Sequence, residues 1–171
     1  MVHELNKSKH SNYASRGQDR RVRRIDESRV WVNPYINVIE FLQKEDRVNR
    51  NRHPNDLTKV AWTKTNIKAT KYGDSASLLM VTADNGLCTQ TITGTSMKKV
   101  FLSHIKRISG TGKVEITADG VTWTDVTRKI NNELFTQVST KVQTLDHSII
   151  GFRLGTHRDE IAVCKTKSVE L

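Results

Sequence analysis

From Leu57 onward, apolar and polar residues alternate with a period of two, in short runs separated by turn formers. LTKVAWT leads into TNIKAT, and YGDS makes a turn. SLLMVT and LCTQTIT flank ADNG, where Asn85-Gly86 signals a hairpin because both positions tolerate positive φ. MKKVFLSHIKRI is a longer run, closed by SGTG. KVEIT-ADG-VTWTDVT, residues 113–127, predicts a second hairpin, with Val114 and Ile116 alternating against Glu115 and Thr117. LFTQV, KVQTL, SIIGFRL and EIAVCKT follow. About eight to ten short strands at this spacing predict a mainly β fold, a single antiparallel β-sandwich or jelly roll over residues 57–171. The inward positions predict a core of Val60, Trp62, Leu79, Val81, Val114, Ile116, Trp123, Ile150, Phe152 and Ile161.

Before residue 57 the pattern changes. Residues 1–30 hold few large apolar side chains, too few to offset chain entropy alone, and predict an extended basic arm that becomes ordered against a partner. Residues 31–56 predict one amphipathic helix and a linker. Asn33-Pro34 supplies an N-cap and a proline at the first helical position. Tyr35, Val38, Ile39 and Leu42 then follow the i, i+3, i+4, i+7 spacing of one helix face. The helix should run from about 34 to 48, ending before Pro54, and its apolar face needs a docking surface on its own β body or on another subunit.

Composition sharpens this division. All nineteen threonines lie between Thr58 and Thr166, as suits half-solvated strands, whereas nine of thirteen arginines precede residue 57. The net charge of +10 is densest in RGQDRRVRR, through Arg16, Arg20, Arg21, Arg23 and Arg24. Such a cluster fits a phosphate-binding arm. It fits equally an arm that pairs with acidic grooves on a neighbouring subunit, because the arginine fork takes carboxylate as well as phosphate. No run of about 18 apolar residues is present, which predicts no transmembrane helix and no membrane partner. MVHELNKSKHSNY lacks the apolar stretch of a secretory signal. Cys88 and Cys164 lie in strand-like runs and predict buried free thiols in a chain assembled inside a cell.

The residues carry no catalytic set. There is no phosphate-binding glycine loop, HExxH, CxxC or GxSxG, so no enzyme and no cofactor are expected. THRDE, with His157, Asp159 and Glu160, has the composition of half a metal site, but metal sites draw three or four ligands from two or more elements. Asp74 and Asp84 read as turn formers. Trp62 and Trp123, in VAWTK and VTWT, read as core residues and not as sugar platforms. The body also lacks the interleaved aromatics of a single-strand nucleic-acid surface.

GKVEITADGVTWTDVT, with SIIGFRLGT further on, resembles the strand–turn–strand cadence of β-sandwich modules of the discoidin or galactose-binding type. It is also similar to the related sandwiches of bacteriophage neck and tail proteins. The resemblance covers residues 112–163, lacks the exposed aromatics and calcium ligands of the ligand-binding modules, and implies a scaffold for protein contact with no functional residue carried over. The expectation is therefore a structural subunit of a phage virion, in the neck, connector or tail. It would be assembled in the host cytoplasm and contact other copies of itself and other virion proteins through the sandwich, the arm and the helix. A nucleic-acid-binding protein using the arginine cluster is the alternative, and a glycan-binding module the third reading.

Overall fold

A computed structural model describes residues 49–171. The basic arm with its five clustered arginines and the helix face of Tyr35, Val38, Ile39 and Leu42 lie outside the described residues. Within them the chain forms eleven strands in two antiparallel sheets and no helix, an all-β sandwich as the alternation predicts.

The five-stranded sheet runs in the order β1 (Thr63–Thr65), β4 (Gly86–Ile92), β10 (Ser148–Leu154), β6 (Val114–Thr117) and β7 (Trp123–Asp125). The six-stranded sheet runs β2 (Ile67–Tyr72), β3 (Ala76–Val81), β11 (Glu160–Glu170), β5 (Met97–Ser109) and β8 (Thr136–Ser139), with β9 (Gln143–Leu145) also paired to β5. Alternate residues of each strand point into the space between the sheets. There Ile150, Phe152 and Leu154 of β10 meet Phe101 and Ile105 of β5 and Ile161 and Val163 of β11 in one core. Phe152 is its centre. Its ring lies 5.5 Å from Phe101 in an edge-to-face pair and 6.1 Å from Trp62. Cys88 points into this core, and burial pushes its thiol up to about 12. Cys164 lies on the other sheet, opposite His104 on its outward face, so both thiols are free.

Three expectations are corrected. Val60 is not core: LTKVAWT forms turns, leaving Val60 99% exposed while Leu57 and Trp62 are buried. Trp123 is not core either, because it sits on the outer face of the five-stranded sheet and is only half-buried. Asn85-Gly86 does not close a hairpin. Asn85 takes the expected positive φ of 60°, but β3 and β4 belong to opposite sheets, so the turn is a crossover. It is braced by the reverse crossover between β1 and β2 at Asn66, φ 55°. The Asn66 carbonyl accepts from the amides of Thr82 (2.9 Å) and Ala83 (3.4 Å), and its side chain donates to the Asp84 carbonyl at 3.1 Å. The hairpin at 113–127 does form, with Glu115 opposite Asp125 and Thr117 opposite Trp123.

Residues 49–55 are tied to β11. Its register against β5 shifts between Cys164 and Lys167, where Lys165 takes φ 49°. This bulge frees backbone groups that the incoming chain then satisfies. The Thr166 amide donates to the Pro54 carbonyl (3.0 Å), the Lys165 amide to Asn55 Oδ1 (2.8 Å) and the Ser168 amide to Asn49 Oδ1 (3.2 Å). Asn49 Nδ2 donates to the Thr166 carbonyl at 3.1 Å, and Arg50 pairs with Glu170 at 3.0 Å.

Asp159 is the main buried carboxylate of the loops. Its oxygens accept from the amides of Gly112 (3.0 Å) and Thr156 (3.2 Å), and Arg107 stands 3.9 Å away while capping the carbonyls of Gly110 and Gly112. A Cβ on Gly110 or Gly112 would overlap that carboxylate. THRDE is thus a loop anchor, and among the described residues no three His, Cys, Asp or Glu side chains gather as a metal site.

Candidate functional site

The outer face of the five-stranded sheet is built in rows fixed by strand register. One row crosses all five strands as Thr63, Thr89, Gly151, Thr117 and Trp123. The next carries Thr65, Leu87, Arg153, Glu115 and Asp125. The face therefore has a β1–β4 half with exposed or half-exposed threonine hydroxyls and a β6–β7 half with an aromatic ring and charges. Between them lies Gly151, where a Cβ would come within 2.5 Å of the Cys88 carbonyl. Glycine thus lets β4 and β10 approach and leaves a flat centre.

Arg153 organises the charged half. Its guanidinium stacks on the Trp123 ring, 4.5 Å from the centroid. Nε and Nη2 both lie 2.6 Å from Glu115 Oε2, and Lys113 Nζ lies 2.7 Å from Glu115 Oε1. The buried Glu115 carboxylate is satisfied, the ring is locked, and the remaining guanidinium N–H groups stay available at a half-exposed surface. The cluster thus presents an aromatic ring, a guanidinium and the Asp125 carboxylate together on one face.

The hairpin that presents Trp123 is held by Asp119. Its Oδ1 accepts from Thr117 Oγ1 (3.0 Å) and the amides of Val121 (2.9 Å) and Thr122 (2.7 Å), and its Oδ2 from Gln143 Nε2 (2.8 Å). Burial would raise the carboxyl's pKa, but these donors outweigh it and hold it well below the usual carboxylate range. A pKa depressed in the fold gives stability that is whole above about pH 4, the unfolded aspartate value, and fades as pH falls toward the folded one. Acid titration should therefore shift the amide resonances of Val121 and Thr122 well below pH 4, and Asp119→Asn should abolish that titration. A midpoint near pH 4 in the parent would refute the assignment.

At the other end of the face, β1 pairs only with Leu87–Thr89 of β4. The remainder of β4, which no described strand pairs on that edge, borders a cleft of about 390 Å³ lined by Arg50, Arg52, Gln90 and Thr91 among others. The Gln90 side chain is fixed there, accepting from the Arg52 amide at 2.9 Å and donating to the Arg52 carbonyl at 3.0 Å.

The site residues expected from sequence, Arg16, Arg20, Arg21, Arg23 and Arg24 and the helix positions Tyr35, Val38, Ile39 and Leu42, lie outside the described residues. The sequence pattern reads Trp123 as core and marks neither Arg153 nor the Thr89–Thr91 pair. One signal for Trp123 is present. The five residues between Thr117 and Trp123 place these two opposite each other, and cross-strand partners share a face, so tryptophan belongs with polar Thr117.

No protein-family model matches the sequence, and no curated protein is similar to it. Solved structures share its fold. TmCBM61, in complex with β-1,4-galactotriose, overlaps 72% of this chain and 99% of its own at 9% identity and a TM-score of 0.54. The enzymatically active domain of bacteriophage CBA120 tailspike protein 4 overlaps 72% at 16% identity and a TM-score of 0.52, and the chain spans 22% of that protein. The CBM22-1–GH10 modules of Clostridium thermocellum xylanase 10B, complexed with xylohexaose, overlap 73% at 8% identity and a TM-score of 0.50, across 28% of their length. At these identities the likeness is one of fold. Carbohydrate-binding modules and a phage tailspike domain are among the structures that share this sandwich.

Proposed function

We propose that the sandwich is a glycan-binding module and that the outer face of the five-stranded sheet receives the sugar chain. The observation that carries this reading is the row Thr63–Thr89–Gly151–Thr117–Trp123 with Arg153 laid against the ring. A pyranose presents hydroxyls at its rim and C–H groups on its faces. The free surface of Trp123 suits the C–H groups, the Arg153 N–H groups not turned to Glu115 suit ring and hydroxyl oxygens, and the exposed threonines exchange hydrogen bonds with hydroxyls. A shallow open face suits an extended chain better than a single small molecule. The carbohydrate-binding modules that share the fold were solved with a galactotriose and a xylohexaose, which supports the ligand class and leaves the particular sugar open.

The test is calorimetric titration of the full chain with β-1,4-galactan, xylan and bacterial surface polysaccharides. At least one should bind, and Trp123→Ala should weaken it about tenfold, the equivalent of roughly 1.4 kcal/mol. Thr89→Val and Thr91→Val should each weaken it less. Binding that survives Trp123→Ala in a folded protein would refute the placement, and failure of every polysaccharide would refute the ligand class.

The tailspike likeness favours a second reading, in which the module is a structural subunit of a phage virion and its arginine arm contacts neighbouring subunits. Light scattering on the full chain tests it. Defined oligomers that dissociate when Arg16, Arg20, Arg21, Arg23 and Arg24 become alanine are expected on that reading, and a monomer at all concentrations would oppose it.

A further inference from the structure

The outer face of the six-stranded sheet carries a buried apolar cluster where a two-layer sandwich has no third layer. Phe101 and Ile105 of β5 point into the main core, so Val100 and Leu102 point outward. They lie opposite Val169 and Lys167 of β11. Val100, Leu102 and Val169 are nevertheless only 1%, 5% and 3% exposed, and Leu171 is the one partly buried hydrophobic packed against them among the described residues. Outward apolar side chains this well shielded need a cover.

The chain's own path identifies it. Asn49 is hydrogen-bonded to Thr166 and Ser168, and Arg50 is paired with Glu170, so the preceding residues begin beside Val169. The segment that must leave from that anchor is 34–48, whose sequence predicts an amphipathic helix with no linker before Asn49. Tyr35 to Leu42 would span about 10 Å along a helix, against about 7 Å between Val100 and Leu102 on their strand. A segment tethered directly at the patch meets it at high effective concentration, which favours it over a second molecule.

We propose that Tyr35, Val38, Ile39 and Leu42 form the covering face, docked within the same chain on Val100, Leu102, Val169 and Leu171. The segment is then a third layer on the six-stranded sheet, and the opposite, threonine-bearing face is left free for ligands.

The test measures thiol labelling in the full chain carrying Leu102→Cys, with sites resolved by peptide mass spectrometry. The introduced thiol should label slowly, and about tenfold or more faster when Ile39→Asp and Leu42→Asp are added, as expected if docking is what closes the site. Glu40→Lys, off the predicted face, should leave the rate unchanged. Cys88 must stay unreactive throughout, which separates undocking from unfolding. Val169→Cys gives an independent reporter should Leu102→Cys fail to fold. A rate indifferent to the aspartates would overturn the proposal, as would protection that fades on dilution, the mark of a second copy as the cover.

Discussion

Asp159→Ala should lower stability by about 3 kcal/mol, the scale for stranding buried donors and a guanidinium that lose their acceptor. The carboxylate ties together two loops, Gly110–Gly112 after β5 and Thr156 after β10, and the Arg107 side chain of β5 braces the first of these. The Arg107 pair is long at 3.9 Å, so most of the loss comes from the two amides. Asp159→Asn keeps the shape but turns an NH2 group toward one of those amides, and should cost less, about 1–2 kcal/mol. Urea denaturation of the three proteins checks this. Equal losses for alanine and asparagine would show that charge matters and shape does not, and no loss would show that the loops hold without the anchor.

Phe152→Ala should cost about 3–5 kcal/mol, the range for emptying a phenylalanine site in a packed core. Phe152 is fully buried and its ring contacts Phe101 from the opposite sheet and Trp62 from the turn before β1. Both sheets therefore lose contact at once, and close packing limits how far either can collapse into the space. A fall of roughly 10 °C or more in Tm should accompany it. Phe152→Leu, which refills most of the volume, should recover more than half of the loss. If leucine is no better than alanine, the aromatic geometry and not the volume stabilises the site.

The sandwich was legible in the sequence because period-two alternation follows directly from strand geometry, and Leu79, Val81, Val114, Ile116, Ile150, Phe152 and Ile161 are buried as that alternation predicts. What local pattern does not encode is which sheet a strand joins. Asn85-Gly86 supplies the left-handed corner of a hairpin, yet the Asn66 carbonyl and side chain direct that corner across the sandwich. Val60 alternates correctly but lies in a turn whose backbone is fixed by bonds such as the Trp62 amide to the Lys59 carbonyl. The candidate face was largely illegible for the same reason. Arg153 lies far from Trp123 in the chain, and only the β10–β6–β7 register brings guanidinium and ring together. An isolated tryptophan in a threonine-rich strand reads as core until its partner strand is known.

The placement of β11 sets the order in which the molecule can be made. It is the last strand of the sandwich in sequence, yet it lies in the middle of its sheet, between β3 and β5. On a ribosome the β2–β3 ribbon and the β5–β8–β9 group would emerge with two open edges facing each other and nothing to join them. Until β11 inserts, Asn49 and Arg50 also lack their partners on it, so the amino-terminal part of the chain waits on its most distant strand. Such long-range closure makes folding slow and leaves unpaired edges exposed to other nascent chains. Chaperone demand and inclusion-body formation should therefore respond to changes in residues 160–170 more sharply than the stability of the finished protein does.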